Sequence, residues 1–217
     1  MSRSKLKHKP TSENFVDGRT LRYVQHREKR KIELLDQTTL LLAKHGLREL
    51  TIDVAAQKLG LAKPALYRYF RSKDDLIQST LTHARTSIIE ADIQADIQDW
   101  RLQLYGAIRF VAQKPEAFIV LHRHAANDPK YNPHFDLYFK QVKQLTATRL
   151  LKFSAHNVES TISHSFFSKA LTTTILSATQ TWIDDGLWDV DVFHNWLVNS
   201  IVSLTETWSK HTFTTKP

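Results

Sequence analysis

An all-α fold is what this 217-residue sequence predicts, and three observations carry the prediction. Glycine and proline number only five and six, too few for a chain of short strands joined by tight turns. Apolar residues recur three and four positions apart over long stretches, while β-like pairs such as Ile119 with Val120, or Val190 with Val192, are too short to make strands. Residues 50–77 hold a helical pattern, a Gly turn, a short second helix and a capped third, which is helix-turn-helix architecture.

Taken in order, residues 1–26 read as a basic arm with few apolar positions, residues 27–76 as the helix-turn-helix domain, and residues 77–217 as a larger helical domain. The first helix is expected from about Arg27, burying Leu34, Leu35, Leu41 and Leu42 and ending at Gly46. Thr51 is a good N-cap for the second helix, since its hydroxyl can accept from an unpaired first-turn N–H. Ile52, Ala55, Ala56 and Leu59 face inward from that helix, and Gly60 stops it. Pro64 starts the next helix at a position where its missing N–H costs nothing. Leu66 and Phe70 point inward there, leaving Lys63, Ala65, Tyr67, Arg68 and Tyr69 outside. Residues 72–75 read as a capping box for a fourth helix reaching about Ala91. Further helices are expected over 97–114, 116–126, 135–153 and 161–185, and from Asp189 or Asp191 onward, nine in all. Leu137 and Leu151 should be inside the seventh, and Trp196 and Leu204 inside the ninth.

Several offsets in the head resemble the DNA-binding domain of TetR-type transcriptional regulators. They are the leucine-rich helix ending in Ala43, Lys44, His45 and Gly46, then Thr51, then Ala56 through Gly60. Leu66, Tyr67, Arg68, Tyr69 and Phe70 follow, with Ser72 through Leu76 behind them. Two positions depart from the pattern: Ala62 stands where such proteins often carry a capping Ser or Thr, and Ala55 where a larger aliphatic is usual. A recognition helix fits the major groove, so Arg68 is the candidate for a bidentate guanine contact. Pro64 and Ala65 can pack on a thymine methyl. The resemblance implies that Thr51, Tyr67, Tyr69 and Lys73 hold backbone phosphates. Thr51 and Lys73 also lie at helix N-termini, whose free N–H groups favour anions.

Charge points the same way. Residues 1–31 hold ten Lys/Arg against three acids, residues 32–80 seven against six, and residues 81–217 thirteen against thirteen. The whole excess of +8 therefore lies in and before the helix-turn-helix, as a polyanion partner requires. Arg3, Lys5, Lys7 and Lys9 alternate through the arm and are candidates for the minor groove. No Cys is present, which excludes disulfides and thiolate metal sites. An early apolar leader and a run of 18 apolar residues are both lacking, so a cytoplasmic protein with no membrane partner is expected.

In the larger domain, Ala170, Thr174, Ala178 and Thr181 form a small-residue strip, with Trp182, Trp196 and Ile201 adding bulk nearby. Two long helices with such broad faces predict a four-helix homodimer interface, which suits an inverted-repeat operator. The resemblance further implies a small-molecule effector pocket. Its candidate liners are Trp100, Tyr105, Phe110, His122, Tyr138 and Phe166, aromatic bodies with a few polar tips. His122 and His124 lie two apart on a helix and diverge, so with His134 they make a poor metal site. Asp184 and Asp185 beside Gly186 read as surface acids, and neither a metal nor a cofactor is expected. The predicted function is a homodimeric repressor released from DNA by a small molecule. A ligand-independent helical organiser of nucleic acid would instead show steep salt dependence without sequence preference. A helical metal-dependent enzyme would have to carry bound metal.

Overall fold

Thr51 is extended at φ −108° and ψ 161°, and its Oγ accepts the Val54 N–H at 3.2 Å, opening α2 at Ile52. Gly60, at φ +65°, reverses the chain, a conformation a side chain would disfavour. The next helix starts on Pro64 alone, because the Ala62 cap supplies no side-chain acceptor. Ser72 Oγ accepts the Asp75 N–H at 3.0 Å, while Asp75 Oδ2 reaches back to the Arg71 N–H at 2.7 Å. That reciprocal pair spans one residue more than a simple capping box.

The computed structural model describes residues 18–93, 99–153 and 162–210, and among these there are nine α-helices, one π-helical turn and no strand. They are α1 (Gly18–His45), α2 (Ile52–Lys58), α3 (Lys63–Tyr67), α4 (Lys73–Ile93), α5 (Trp100–Gln113), α6 (Pro115–Ile119), α7 (Asn132–Phe153), α8 (His164–Asp184) and α9 (Val190–Lys210). The π turn, Val120–Ala125, continues α6 without a break. The first helix begins nine residues earlier than expected. Residues 19–31 contain no Gly or Pro and are mostly good helix formers, so α1 propagates beyond its buried face.

The head is α1 to α3 packed on the start of α4, around Leu34, Leu42, Leu50, Leu66, Phe70 and Leu76. Its core stripe passes through buried Thr38, whose hydroxyl donates to Leu34 O at 2.7 Å. Asp36 of α1 then joins α4 to the α5–α6 junction, accepting from Lys114 at 2.8 Å and lying 2.8 Å from His83 Nε2 of α4. In the body, a Cβ at Gly106 would run into the Ala91 carbonyl, so glycine lets α5 lie directly on α4. A small second core, with Phe167 stacked 4.5 Å from Trp208, closes the far end.

Four residues expected inside are exposed: Leu137, Leu151, Trp196 and Leu204. On α7 the buried positions are instead Tyr138, Thr146 and Leu150, so the helix turns Leu137 and Leu151 outward. On α9 the stripe of Phe193, Leu197, Val198, Thr205 and Trp208 takes the core, leaving the opposite face to Trp196 and Leu204.

Candidate nucleic-acid interface and effector cavity

The outer side of the head carries most of the residues singled out for DNA. Tyr67 and Arg68 are exposed, as are Lys63 and Pro64, while Ala65 and Tyr69 are half-buried and Tyr69 packs against the head core. Lys63 Nζ pairs with Asp53 at 2.8 Å across the turn, and that carboxylate raises the ammonium pKa. Lys73 Nζ donates to Arg48 O at 2.9 Å, so it rests against the α1–α2 connection. Thr51 spends its oxygen on the α2 cap, as an N-cap must. The arm residues Arg3, Lys5, Lys7 and Lys9 lie outside the described residues.

The head is latched to the body through the connection before α7. Asp74, in the first turn of α4, meets Lys130 Nζ at 2.6 Å and accepts from the Tyr131 hydroxyl at 2.8 Å. The Lys130 ammonium, then the Tyr131 hydroxyl, hold the Asp74 carboxyl below its ordinary range. Asp128 meets Arg48 Nε at 3.3 Å, and His124 Nε2 lies 3.1 Å from Ala43 O. The π turn aims His124 at the end of α1, while Arg123 on its exposed side pairs with Asp184.

Within the body, a cavity of about 60 Å³ lies among α4, α5, α6, α7 and α8. Ile88, Leu104, Ile108, Phe118, Tyr138 and Leu176 supply most of its apolar wall. A second space of about 30 Å³ adjoins it, sharing Leu104, Thr146, Arg149 and Ile175. Between them sits an ion pair that no motif in the sequence marks. Arg149 Nη2 donates to Asp92 Oδ2 at 2.6 Å, and Arg149 Nε donates to Gln103 Oε1 at 3.2 Å. Burial pushes the Asp92 carboxyl above its ordinary value, and the Arg149 charge offsets only part of that.

Of the six aromatic candidates for the pocket, Tyr138 lines the larger space and Trp100 the smaller. The other four stand elsewhere. Tyr105 donates its hydroxyl to Asp191 at 2.8 Å on the α5–α9 seam, and Phe110 packs on the main core. His122 stacks on Phe118 with centroids 5.0 Å apart, and burial lowers its pKa. Phe166 is 64 % exposed. Aromatic type at helical spacing marks a packed face without telling which neighbour it meets, whereas the charged signal at Asp92 and Arg149 is spread over 57 residues.

The strip on α8 divides in the same manner. Thr174 and Thr181 are exposed, Ala170 and Ala178 half-buried, and Trp196 of α9 is 51 % exposed. Trp182 is buried within the protomer instead, stacked 4.3 Å from Phe193 and donating Nε1 to Trp188 O at 2.7 Å. Ile201 turns inward to the smaller cavity. A groove between α8 and α9 joins Ala178 and Thr181 to Trp188 and Trp196. Among the described residues, no three His, Cys, Asp or Glu side chains converge as metal ligands. No described helix is long and apolar enough to cross a membrane.

A three-helix head with a short, basic and aromatic second motif helix, joined through one long helix to a cavity-bearing bundle, is a helix-turn-helix architecture on an all-α body. Residues 34–80 match the profile of the bacterial regulatory proteins of the tetR family. Two proteins from Mycobacterium tuberculosis strains, CDC 1551 and H37Rv, are each 34 % identical to the chain over 110 residues. Both are described as uncharacterized HTH-type transcriptional regulators, and the match covers 48 % of this chain and 47 % of theirs. The chain thus spans about half the length of the curated relatives it matches. Among solved structures, a TetR-like regulator from Rhodococcus sp. RHA1 aligns with a TM-score of 0.65 at 22 % identity, covering 83 % of this chain and 93 % of the other. The regulator FadR from Bacillus subtilis, solved with stearoyl-CoA, aligns at 0.62 and 16 % identity, covering 82 % and 96 %. At these identities the alignments establish the shared fold.

Proposed function

We propose that this chain is a cytoplasmic, homodimeric, ligand-responsive transcriptional repressor that binds an inverted-repeat operator and is released from it by a small molecule. One observation carries the reading: a single helix, α4, supplies both Leu76 and Ile77 to the head core and Ile88, Ile89 and Asp92 to the cavity wall. Anything that widens the cavity must move α4 or its neighbours, and Asp74 at the start of that helix is latched to the connection before α7. Binding a ligand preferentially to the widened form shifts the population toward head positions that no longer fit two half-sites.

The cavity in this form is too small for an effector, so the bound form is an expanded one. Its apolar wall suits an extended hydrocarbon body, and Arg149 suits an anionic end that would compete with Asp92 for the guanidinium. Proton uptake by Asp92, which burial already favours, would leave Arg149 to such an anion. The FadR neighbour's stearoyl-CoA makes fatty acids and their CoA thioesters the first probes. The dimer forms through α8 and α9, whose outward faces hold Thr174, Ala178, Thr181 and Trp196.

The test starts with selection of duplexes from a random pool. Arg68→Ala should relax preference at one base position per half-site and cost about 1–3 kcal/mol on the selected sequence. Lys73→Ala should weaken all sequences alike and flatten the salt dependence by about one unit for each phosphate left without its ammonium. Binding without any sequence preference would point to a nucleic-acid organiser instead, and no binding at all would refute the proposal.

A further inference from the structure

The early start of α1 places a second basic surface beside the recognition helix. Tyr23, His26 and Arg27 follow one another at helical spacing on one face of α1. They face Arg68 and Tyr69 across an open cleft of about 410 Å³. Arg27 Nη2 donates to Arg68 O at 3.1 Å, linking the two walls. Tyr23 is 62 % exposed, although an aromatic ring on a solvated helix has no packing reason to be there. Among the described residues no carboxylate lines the cleft, and residues 21–33 hold five Lys/Arg against two acids.

We infer that this cleft is a DNA-backbone groove: Tyr23, His26 and Arg27 of α1, with Arg68 and Tyr69, hold a phosphodiester segment flanking the base pairs read by α3. The inference rests on the proposed DNA-binding function and adds a second surface to it. Every polar tip in the cleft can donate a hydrogen bond, which suits phosphate oxygens. The bond from Arg27 occupies the carbonyl at the C-terminal end of α3, where an uncapped carbonyl would repel a phosphate. It uses one of the five guanidinium N–H donors. Arg68 lines the cleft and is exposed on α3's side of the head, so a strand entering the major groove beside α3 can continue into the cleft.

The test compares Arg27→Gln with Lys29→Gln, an equal charge change on the same helix at an exposed position outside the cleft. Full-length protein is titrated against its selected duplex across a range of salt. Arg27→Gln should weaken binding about tenfold at physiological salt and lower the salt slope by about two units for a dimer, one phosphate per protomer. Lys29→Gln should change the slope much less. His26→Gln, which leaves the bond between Arg27 and Arg68 in place, should act in the same direction as Arg27→Gln. Trimming the duplex at its outer flanks should weaken the parent and remove its advantage over Arg27→Gln. Equal effects of Arg27→Gln and Lys29→Gln would mean net charge alone and overturn the inference. So would a weakening by Arg27→Gln that persists undiminished on the trimmed duplex, since that would reflect a disturbed α3. If the parent binds no duplex, the proposed function fails first, and that outcome is distinct from a parent that binds with Arg27→Gln unchanged.

Discussion

Asp92 and Arg149 offer the sharpest test of how the body is built. Both lie on the cavity wall, with Asp92 6 % exposed and the Arg149 side chain 18 % exposed. Removing one member of such a buried pair leaves a charge without its counter-ion, at a cost of about 3–5 kcal/mol. Arg149 keeps Gln103 and a little solvent, so Asp92→Ala should fall near the low end, about 3 kcal/mol. Replacing both by apolar residues of similar volume, Asp92→Leu with Arg149→Met, abolishes the desolvation cost along with the attraction. The double variant should lie between neutral and about 2 kcal/mol more stable than the parent. Urea unfolding at one fixed protein concentration, with unchanged m-values, measures Asp92→Ala and the four corners of the cycle formed by the parent, Asp92→Leu, Arg149→Met and the double variant. The pH dependence has a definite sign. The folded-state pKa of Asp92 is raised, so the folded chain holds this proton to higher pH than the unfolded chain does. Its contribution is fully present below the ordinary Asp pKa of about 4 and is lost as pH rises through the folded value. Asp92→Asn should remove that fall from the stability profile. The reasoning is refuted if Asp92→Ala costs less than about 1 kcal/mol or the double variant costs the sum of Asp92→Leu and Arg149→Met.

Two further outcomes are expected. Ala62→Ser should supply the missing N-cap of α3 and raise stability by about 1 kcal/mol, read as an increased urea midpoint, and an unchanged or lowered midpoint would contradict the capping argument. Ala178→Glu should set two carboxylates against each other in the α8–α9 groove across the proposed two-fold axis, giving monomers by light scattering where the parent gives dimers; a parent that is itself monomeric would remove this interface.

Local signals in the sequence determined the helix-turn-helix. Thr51, Gly60, Pro64 and Ser72 each act on their own or adjacent turns, so the chemistry that starts and stops these helices is complete within a few residues. The missing cap at Ala62 was legible for the same reason. Periodicity also foretold nine helices, because a buried stripe repeats whatever it packs against. The start of α1 was not legible from a stripe, since residues 21–29 are all exposed and that stretch persists by propensity and the Arg27 tether. Only the tertiary structure decided which faces meet. Trp182 went into the core and Trp196 to the surface, though both are aromatic residues on apolar helical faces. Tyr138 reached the cavity while Phe166 faced outward, and Asp92 found Arg149 from 57 positions away. Helical spacing tells which residues share a face, but the partner of that face is set by how distant helices pack, a choice made by shape and burial over the whole bundle.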